Sequence, residues 1–138
     1  MDREVIEQKL ESLRRCVQRI ETRTPTNAAV LAEDIDLQDI VTLNLSRVVQ
    51  ICVDIGAHLI AGIDVPAPNT MGQTFDLLAQ SGLLTQDLAS RLKKSVGFRN
   101  IAVHNYEKIN WEIVHRLATL HLSDFSDFAS VIALRLDE

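Results

Sequence analysis

Hydrophobic residues recur at helical spacing along almost the whole chain. In the first segment they alternate at intervals of four and three, which places them on one stripe of a helix from about Asp2 to Arg23. The stripe consists of Ile6, Leu10, Leu13, Val17 and Ile20. Thr24-Pro25-Thr26-Asn27 ends this helix. No segment shows the period-two alternation of a β-strand, so the pattern predicts an all-α protein.

A second, longer helix is predicted to end near Ile63. It begins at Asn27 or at Asp36, depending on whether residues 28–33 form a separate turn. Apolar positions cover most of its circumference, as expected of a central helix that packs against several others. Its narrow polar strip consists of Arg47, Gln50, Asp54 and His58. The first three either line a functional cleft or form a solvated face, whereas His58 is assigned a structural role.

Local capping signals place the third and fourth helices. Asp64–Asn69 is a loop, by its prolines and short polar residues. A Thr-x-x-Gln capping box begins the third helix at Thr70, and Ser81-Gly82 ends it. Thr85 caps a fourth helix, which is weakened at Gly97 and continues into the segment after it.

The last helix is predicted to begin at Asn110, an N-cap residue, and to continue through Leu136. The chain has no internal repeats, and 138 residues are enough for one hydrophobic core, so a single domain over residues 1–138 is predicted. The predicted architecture is an all-α bundle of about five helices.

Composition limits the classes of function. The net charge of −5 argues against nucleic-acid binding over the whole surface, because phosphate affinity comes mainly from clustered Lys and Arg. Two local clusters remain as binding candidates or solvated helix faces. One consists of Arg14, Arg15, Arg19 and Arg23, and the other of Arg91, Lys93, Lys94 and Arg99.

Localisation and cofactors follow from what the sequence lacks. No apolar run is long enough to suggest a membrane span, and the first residues do not resemble a secretory signal, so a cytoplasmic protein is expected. Cys16 and Cys52 are isolated and read as small core residues. Ligand clusters with metal spacing and glycine-rich phosphate loops are absent from the sequence, so neither a metal nor a cofactor is predicted.

One segment groups a cation, an imidazole and a phenol within eight residues: Arg99-Asn100-Ile101-Ala102-Val103-His104-Asn105-Tyr106. On an ideal helix Arg99 and Tyr106 fall within about 20° of each other, whereas His104 lies roughly 140° from Arg99. Arg99 and His104 therefore converge only if the helix is distorted near Gly97 or if two copies meet across a dimer axis. Asn100 lies four residues before His104 and can touch and orient its ring.

The side chains of this segment suit phosphate chemistry. Histidine transfers protons near neutral pH, and arginine holds a phosphate and stabilises charge that develops on its oxygens. Together they are sufficient for cleavage of RNA without a metal, in which the 2′-hydroxyl attacks the adjacent phosphorus. An Arg and a His five residues apart also fit a structural role, and the residues alone leave both interpretations open.

The segment Phe98–Tyr106, together with Asn44–Gln50 and Asp54–Ile60, resembles the HepT family of HEPN-domain toxins. The likeness follows most of the chain in helix order and length, and its specific part is Arg-Asn-x-x-x-His-x-Tyr after Gly-Phe. The resemblance implies a HEPN fold, a homodimer with the motif at the subunit interface, and metal-independent endoribonuclease activity. Arg99 and His104 would be the catalytic pair: Arg99 would bind the scissile phosphate, and His104 would act as general base or acid. Asn100 would position His104 or the substrate, or be ordinary surface polarity.

The resemblance also implies a protein partner. The family is usually encoded beside a nucleotidyltransferase antitoxin of the MntA type, which transfers AMP to the motif tyrosine, here Tyr106. Modification would add charge and bulk at the cleft and repel RNA, and toxin and antitoxin could assemble into a higher hetero-oligomer. Tyr106 could instead be a packed aromatic at a helix end. Two other classes stay open for the chain: a non-catalytic helical subunit that presents substrate to a nucleotidyltransferase, and a structural helical dimer.

Overall fold

The computed structural model describes residues 2–137, which contain seven α-helices. The helices are α1 (Arg3–Arg23), α2 (Ala28–Glu33), α3 (Ile35–Ala61), α4 (Met71–Gln80), α5 (Gln86–His104), α6 (Trp111–Thr119) and α7 (Leu122–Leu136). A 3-10 turn, Tyr106–Lys108, joins α5 to α6. The predicted all-α bundle is confirmed.

Side-chain caps fix where most of the helices begin. Asp2, Asn27 and Asp34 accept a backbone N–H at the start of α1, α2 and α3, respectively. The predicted caps Thr70, Thr85 and Asn110 do the same for α4, α5 and α6. Because a cap needs only residues within one turn, these boundaries follow from local sequence.

The core is built around α3. Helix α1 packs along α3, α4 and α5 pack against each other and against α3, and α7 contacts α1, α3 and α5. The sequence led us to expect no helix long and apolar enough to cross a membrane, but α3 has that length and composition. Helices α6 and α7 would also be long and apolar enough if they formed one bent span. In the bundle, 56% of the most apolar window of α3 is buried. Its composition is therefore that of a core helix.

The estimate of about five helices was too low in two places. Residues 28–33 form the separate helix α2, the alternative that the sequence left open. The predicted last helix breaks after Thr119, and its two parts are bent by 42°. The Thr119 hydroxyl donates to the His115 carbonyl at 2.7 Å, a contact that bends helices. On the far side of the break, Asp124 is buried and forms an ion pair with Arg91 of α5.

Helix α5 differs from the expectation in a way that bears on function. It continues through Gly97 without a break and ends at His104. Asn105 leaves helical geometry, with φ −151° and ψ 53°, and Tyr106 begins the 3-10 turn. The expected alignment of Arg99 with Tyr106 on one helical face was therefore wrong, because the helix that carries Arg99 does not extend to Tyr106.

Candidate functional site

Arg99 lies on α5, half-buried beside the start of α4. Its Nη1 donates to Met71 Sδ at 3.7 Å, a weak interaction. Within residues 2–137 the guanidinium forms no ion pair. A partly desolvated guanidinium that lacks a carboxylate partner is suited to hold an external anion such as a phosphate.

His104 is exposed in the last turn of α5, and its ring forms no hydrogen bond within the described residues. Gly97 and Ile101 lie two turns and one turn before it, respectively, on the same exposed helix face. A Cβ built on Gly97 would meet nothing within 4 Å, and Ile101 is 44% exposed. Asn100 is also exposed, with no hydrogen bond to His104. Arg99 and His104 are five positions apart on the unbroken helix α5, so they lie on different sides of it, and no hydrogen bond joins them within the described residues.

Tyr106 is held in place by one residue far away in the sequence and one nearby. Its Oη donates a hydrogen bond to Asp39 Oδ1 of α3 at 2.9 Å, and its ring packs edge-on against Trp111, with centroids 6.1 Å apart. Burial, and then the Asp39 carboxylate, raise the pKa of Tyr106, while the Thr42 hydroxyl acts in the opposite direction. The residue as a whole is nevertheless 40% exposed, so it lies at the surface of the protomer.

Asp39 is the residue of this site that sequence reasoning missed. It lies 67 residues before Tyr106, on an exposed position of α3 outside the polar strip. Helix α3 also contains Asp36 and Asp54, and nothing in the sequence singles out Asp39 as the partner of a phenol. Only the tertiary structure reveals the pair.

The polar strip of α3 faces α1. Gln50 Nε2 donates to Asp54 Oδ1 at 2.9 Å, and Asp54 Oδ2 lies 3.7 Å from Lys9 Nζ. Arg47 and Gln50 line one groove between these helices, and His58 lines another with Asp54. Neither groove includes a residue of the Arg99–Tyr106 segment, so in the protomer the strip is separate from that segment.

The remaining titratable groups are dispersed. Cys16 and Cys52 are both buried free thiols, and burial raises the pKa of both. His115 Nε2 contacts the Pro25 carbonyl oxygen at 2.8 Å. Over residues 2–137 no three His, Cys, Asp or Glu side chains are grouped closely enough to hold a metal ion.

Known proteins are similar to this chain in fold and in sequence. A model of the ribonuclease HepT-like family matches residues 6–132. The mRNA nuclease HepT of Shewanella oneidensis is 40% identical over 129 residues, which cover 94% of this chain and 96% of that protein. The tri-AMPylated HEPN toxin of Shewanella oneidensis, solved in complex with MNT antitoxin, superposes with a TM-score of 0.89 at 39% identity, covering 97% of this chain and 99% of that one.

A crystal structure of a toxin–antitoxin with AMP-PNP gives the same TM-score, 0.89, at 38% identity, and covers 95% of this chain and 98% of that one. Fold and sequence thus place the chain among the all-α ribonucleases. It belongs to the ribonuclease HepT-like family. The predicted membership in the HepT family of HEPN-domain toxins is confirmed, and so is the predicted class of enzyme, a ribonuclease.

Proposed function

We propose that this chain is the toxin of a toxin–antitoxin system and cleaves RNA as a metal-independent endoribonuclease, with Arg99 and His104 as its catalytic residues. The observation that carries the proposal is the half-buried Arg99 guanidinium, which has no carboxylate partner in residues 2–137, five residues before an exposed histidine with no hydrogen bond. Each protomer thus supplies one phosphate-binding cation and one proton-transfer group.

The proposed reaction is an in-line displacement at phosphorus. The 2′-oxygen of the ribose attacks the adjacent phosphorus, and its proton passes to a general base. The bond from phosphorus to the 5′-oxygen breaks, and that oxygen takes up a proton. His104 serves as base or acid in these transfers, and Arg99 neutralises the charge that develops on the phosphate oxygens.

We further propose that the active site is shared between the two subunits of a homodimer. Arg99 and His104 lie on different sides of α5, and because the helix runs unbroken through Gly97, helix distortion does not bring them together. A second copy that packs against the face of Gly97, Ile101 and His104 would place one subunit's histidine near the other's arginine. An exposed glycine within a helix costs about 1 kcal/mol relative to Ala, and close approach of a partner backbone is a reason to retain it.

Tyr106 is proposed as the site where a nucleotidyltransferase antitoxin of the MntA type transfers AMP. Relatives support this: one solved structure is a tri-AMPylated toxin with MNT antitoxin. The Tyr106 oxygen attacks the α-phosphorus of ATP, an O–P bond forms, and pyrophosphate leaves. Asp39 accepts the phenol's hydrogen bond, so it orients the attacking oxygen and is placed to receive its proton. The added phosphate is anionic and repels RNA. Asn100 is proposed to contact RNA or His104, and the protein to act in the cytoplasm.

RNA cleavage by purified, unmodified protein in the presence of a chelator tests the proposal. We expect cleavage by the wild type and loss of it in His104→Ala and Arg99→Ala, with secondary structure unchanged. His58→Ala and Arg19→Ala are matched controls, because both side chains lie away from the motif, and they should cleave normally. If the unmodified wild type cleaves no RNA, or if His104→Ala cleaves as well as His58→Ala, the proposed activity is wrong.

The modification is tested by intact mass after incubation with ATP and a nucleotidyltransferase of the MntA type. We expect an increase of one or more AMP units in the wild type and none in Tyr106→Phe. AMP units that persist in Tyr106→Phe would contradict the assignment of the acceptor.

A further inference from the structure

A cavity of about 380 Å³ opens between α5, the 3-10 turn, α6 and the start of α7. Its volume lies in the lower part of the range for sites that bind small molecules. The walls are mainly apolar, and two of them are aromatic. They are formed by Phe98, Ile101, Ile109, Ile113, Leu117 and Phe125.

Positive charge surrounds this cavity. Arg91, Lys94, Lys108 and Arg116 line it, and Asp124 is the one carboxylate among them. Asp124 is already paired with Arg91. The other three cations are exposed, and they form no side-chain hydrogen bond or ion pair in the part of the chain that the structure describes. In a chain with a net charge of −5, this group of cations without counter-charges favours an anionic ligand.

The cavity lies along α5 next to the catalytic motif. Phe98 and Ile101 line it and flank Arg99 in the sequence. We propose that the cavity binds a nucleobase of the single-stranded RNA substrate, with the neighbouring phosphates on Lys94, Lys108 and Arg116. The inference rests on the ribonuclease function proposed above and adds a binding site for the RNA beyond the cleavage point.

The cavity offers apolar space for a base beside cations for the phosphates. Single-stranded nucleic acids bind where cations follow the backbone and the bases are taken out of water, without selection for one sequence. Phe98 and Phe125 are only 9% and 2% exposed, so the apolar surface open to a base is mainly that of Ile101, Ile109, Ile113 and Leu117. A twofold axis at the cavity itself would bring its cations against the same cations of a second copy. The homodimer proposed above is therefore expected to pack beside the cavity, on the side of Ile101 that carries Gly97 and His104.

Binding of a short fluorescein-labelled single-stranded RNA to the His104→Ala protein, followed by anisotropy, tests the role of the cations. The double substitution Lys108→Glu/Arg116→Glu should weaken binding by about tenfold or more and reduce the slope of log K against log salt by about 1.4, the value for two lost phosphate contacts on a single strand. Arg19→Glu/Arg23→Glu on α1 changes the net charge equally and should have a much smaller effect. Equal effects of the two double variants would overturn the inference.

Isoleucine methyl NMR of the same protein tests whether a base enters the cavity. On addition of the RNA, the Ile109 and Ile113 methyl signals should shift, while the core residues Ile6 and Ile55 should not. Shifts of Ile109 and Ile113 that follow protein concentration without RNA would identify a second copy as the occupant and overturn the inference. If the wild type cleaves RNA but Lys108→Glu/Arg116→Glu does not change RNA binding, this inference alone is overturned. If the wild type does not cleave RNA, the proposed function is overturned.

Discussion

Neutralising Asp39 tests the contact that positions Tyr106. In the structure Tyr106 Oη donates to Asp39 Oδ1 at 2.9 Å across 67 residues of sequence. Asp39→Asn removes the charge and keeps the size of the side chain. Because a hydrogen bond to a charged acceptor is stronger than one to a neutral acceptor, we expect weaker anchoring of the turn after α5. Both partners are partly exposed, so the expected loss of stability is about 0.5 to 1 kcal/mol.

This loss corresponds to a small decrease in melting temperature. At about 2.1 cal/mol/K per residue, a chain of 138 residues has an unfolding entropy of about 0.3 kcal/mol/K, so the melting temperature should fall by about 2 to 3 °C. Asp64→Asn is a matched control, because Asp64 is an exposed loop carboxylate with no side-chain hydrogen bond or ion pair in the described residues. It should melt like the wild type.

The pKa of Tyr106 gives a second readout of the same contact. Tyr106 is the only tyrosine in the chain, so tyrosinate absorbance during an alkaline titration reports on this residue alone. Its pKa is raised in the folded protein, so the corresponding stabilisation is present below the pKa of the unfolded chain and is lost as the pH rises through the folded value. In Asp39→Asn the pKa should fall toward its ordinary value but stay above it, since burial is the largest cause. An Asp39→Asn protein that titrates and melts like Asp64→Asn would refute this reasoning.

Three further predictions concern the interface and the core. Gly97→Ala should leave the protomer folded, because its Cβ meets nothing within 4 Å, but should raise the dissociation constant of the proposed homodimer in analytical ultracentrifugation; an unchanged constant would contradict close approach at Gly97. Phe128→Ala should lower the free energy of unfolding by about 3 to 5 kcal/mol in guanidinium titrations, because Phe128 is fully buried against Phe75, and a loss below about 1 kcal/mol would argue against this packing. Burial raises the pKa of the Cys52 thiol, so alkylation followed by mass spectrometry should modify it only after unfolding, and equally fast reaction in native buffer would exclude a closed core there.

Features set within one or two turns of the chain were predictable from sequence. The caps Thr70, Thr85 and Asn110 follow from residue type and spacing. The end of α4 does too: Gly82, at φ +79°, adopts a left-handed conformation that suits glycine, and Leu83 N–H bonds to the Leu78 carbonyl. The central position of α3 was also predictable, because apolar residues cover most of the circumference of the helix and this pattern can be read from its own sequence.

Features that depend on distant contacts were not predictable. The break after Thr119 carries no Gly or Pro, and it precedes Asp124, whose partner Arg91 lies 33 residues earlier. The end of α5 at His104 has no Gly or Pro either. The contact between Tyr106 and Asp39 joins residues that are 67 positions apart, with α4 and α5 between them. Arg99, His104 and Tyr106 could be selected by their chemistry, but their relative placement depended on the tertiary structure.

The proposed sharing of the active site is tested most directly by mixing the Arg99→Ala and His104→Ala proteins, each expected to be inactive alone, under conditions that exchange subunits, and measuring RNA cleavage. In a mixed dimer with composite sites, one site combines both substitutions and the other combines the intact Arg99 of one subunit with the intact His104 of its partner. We predict recovery of roughly a quarter of wild-type activity, because half of the dimers are mixed and each has one of two sites intact. Mixed dimers that form but cleave no RNA would contradict a site shared between subunits.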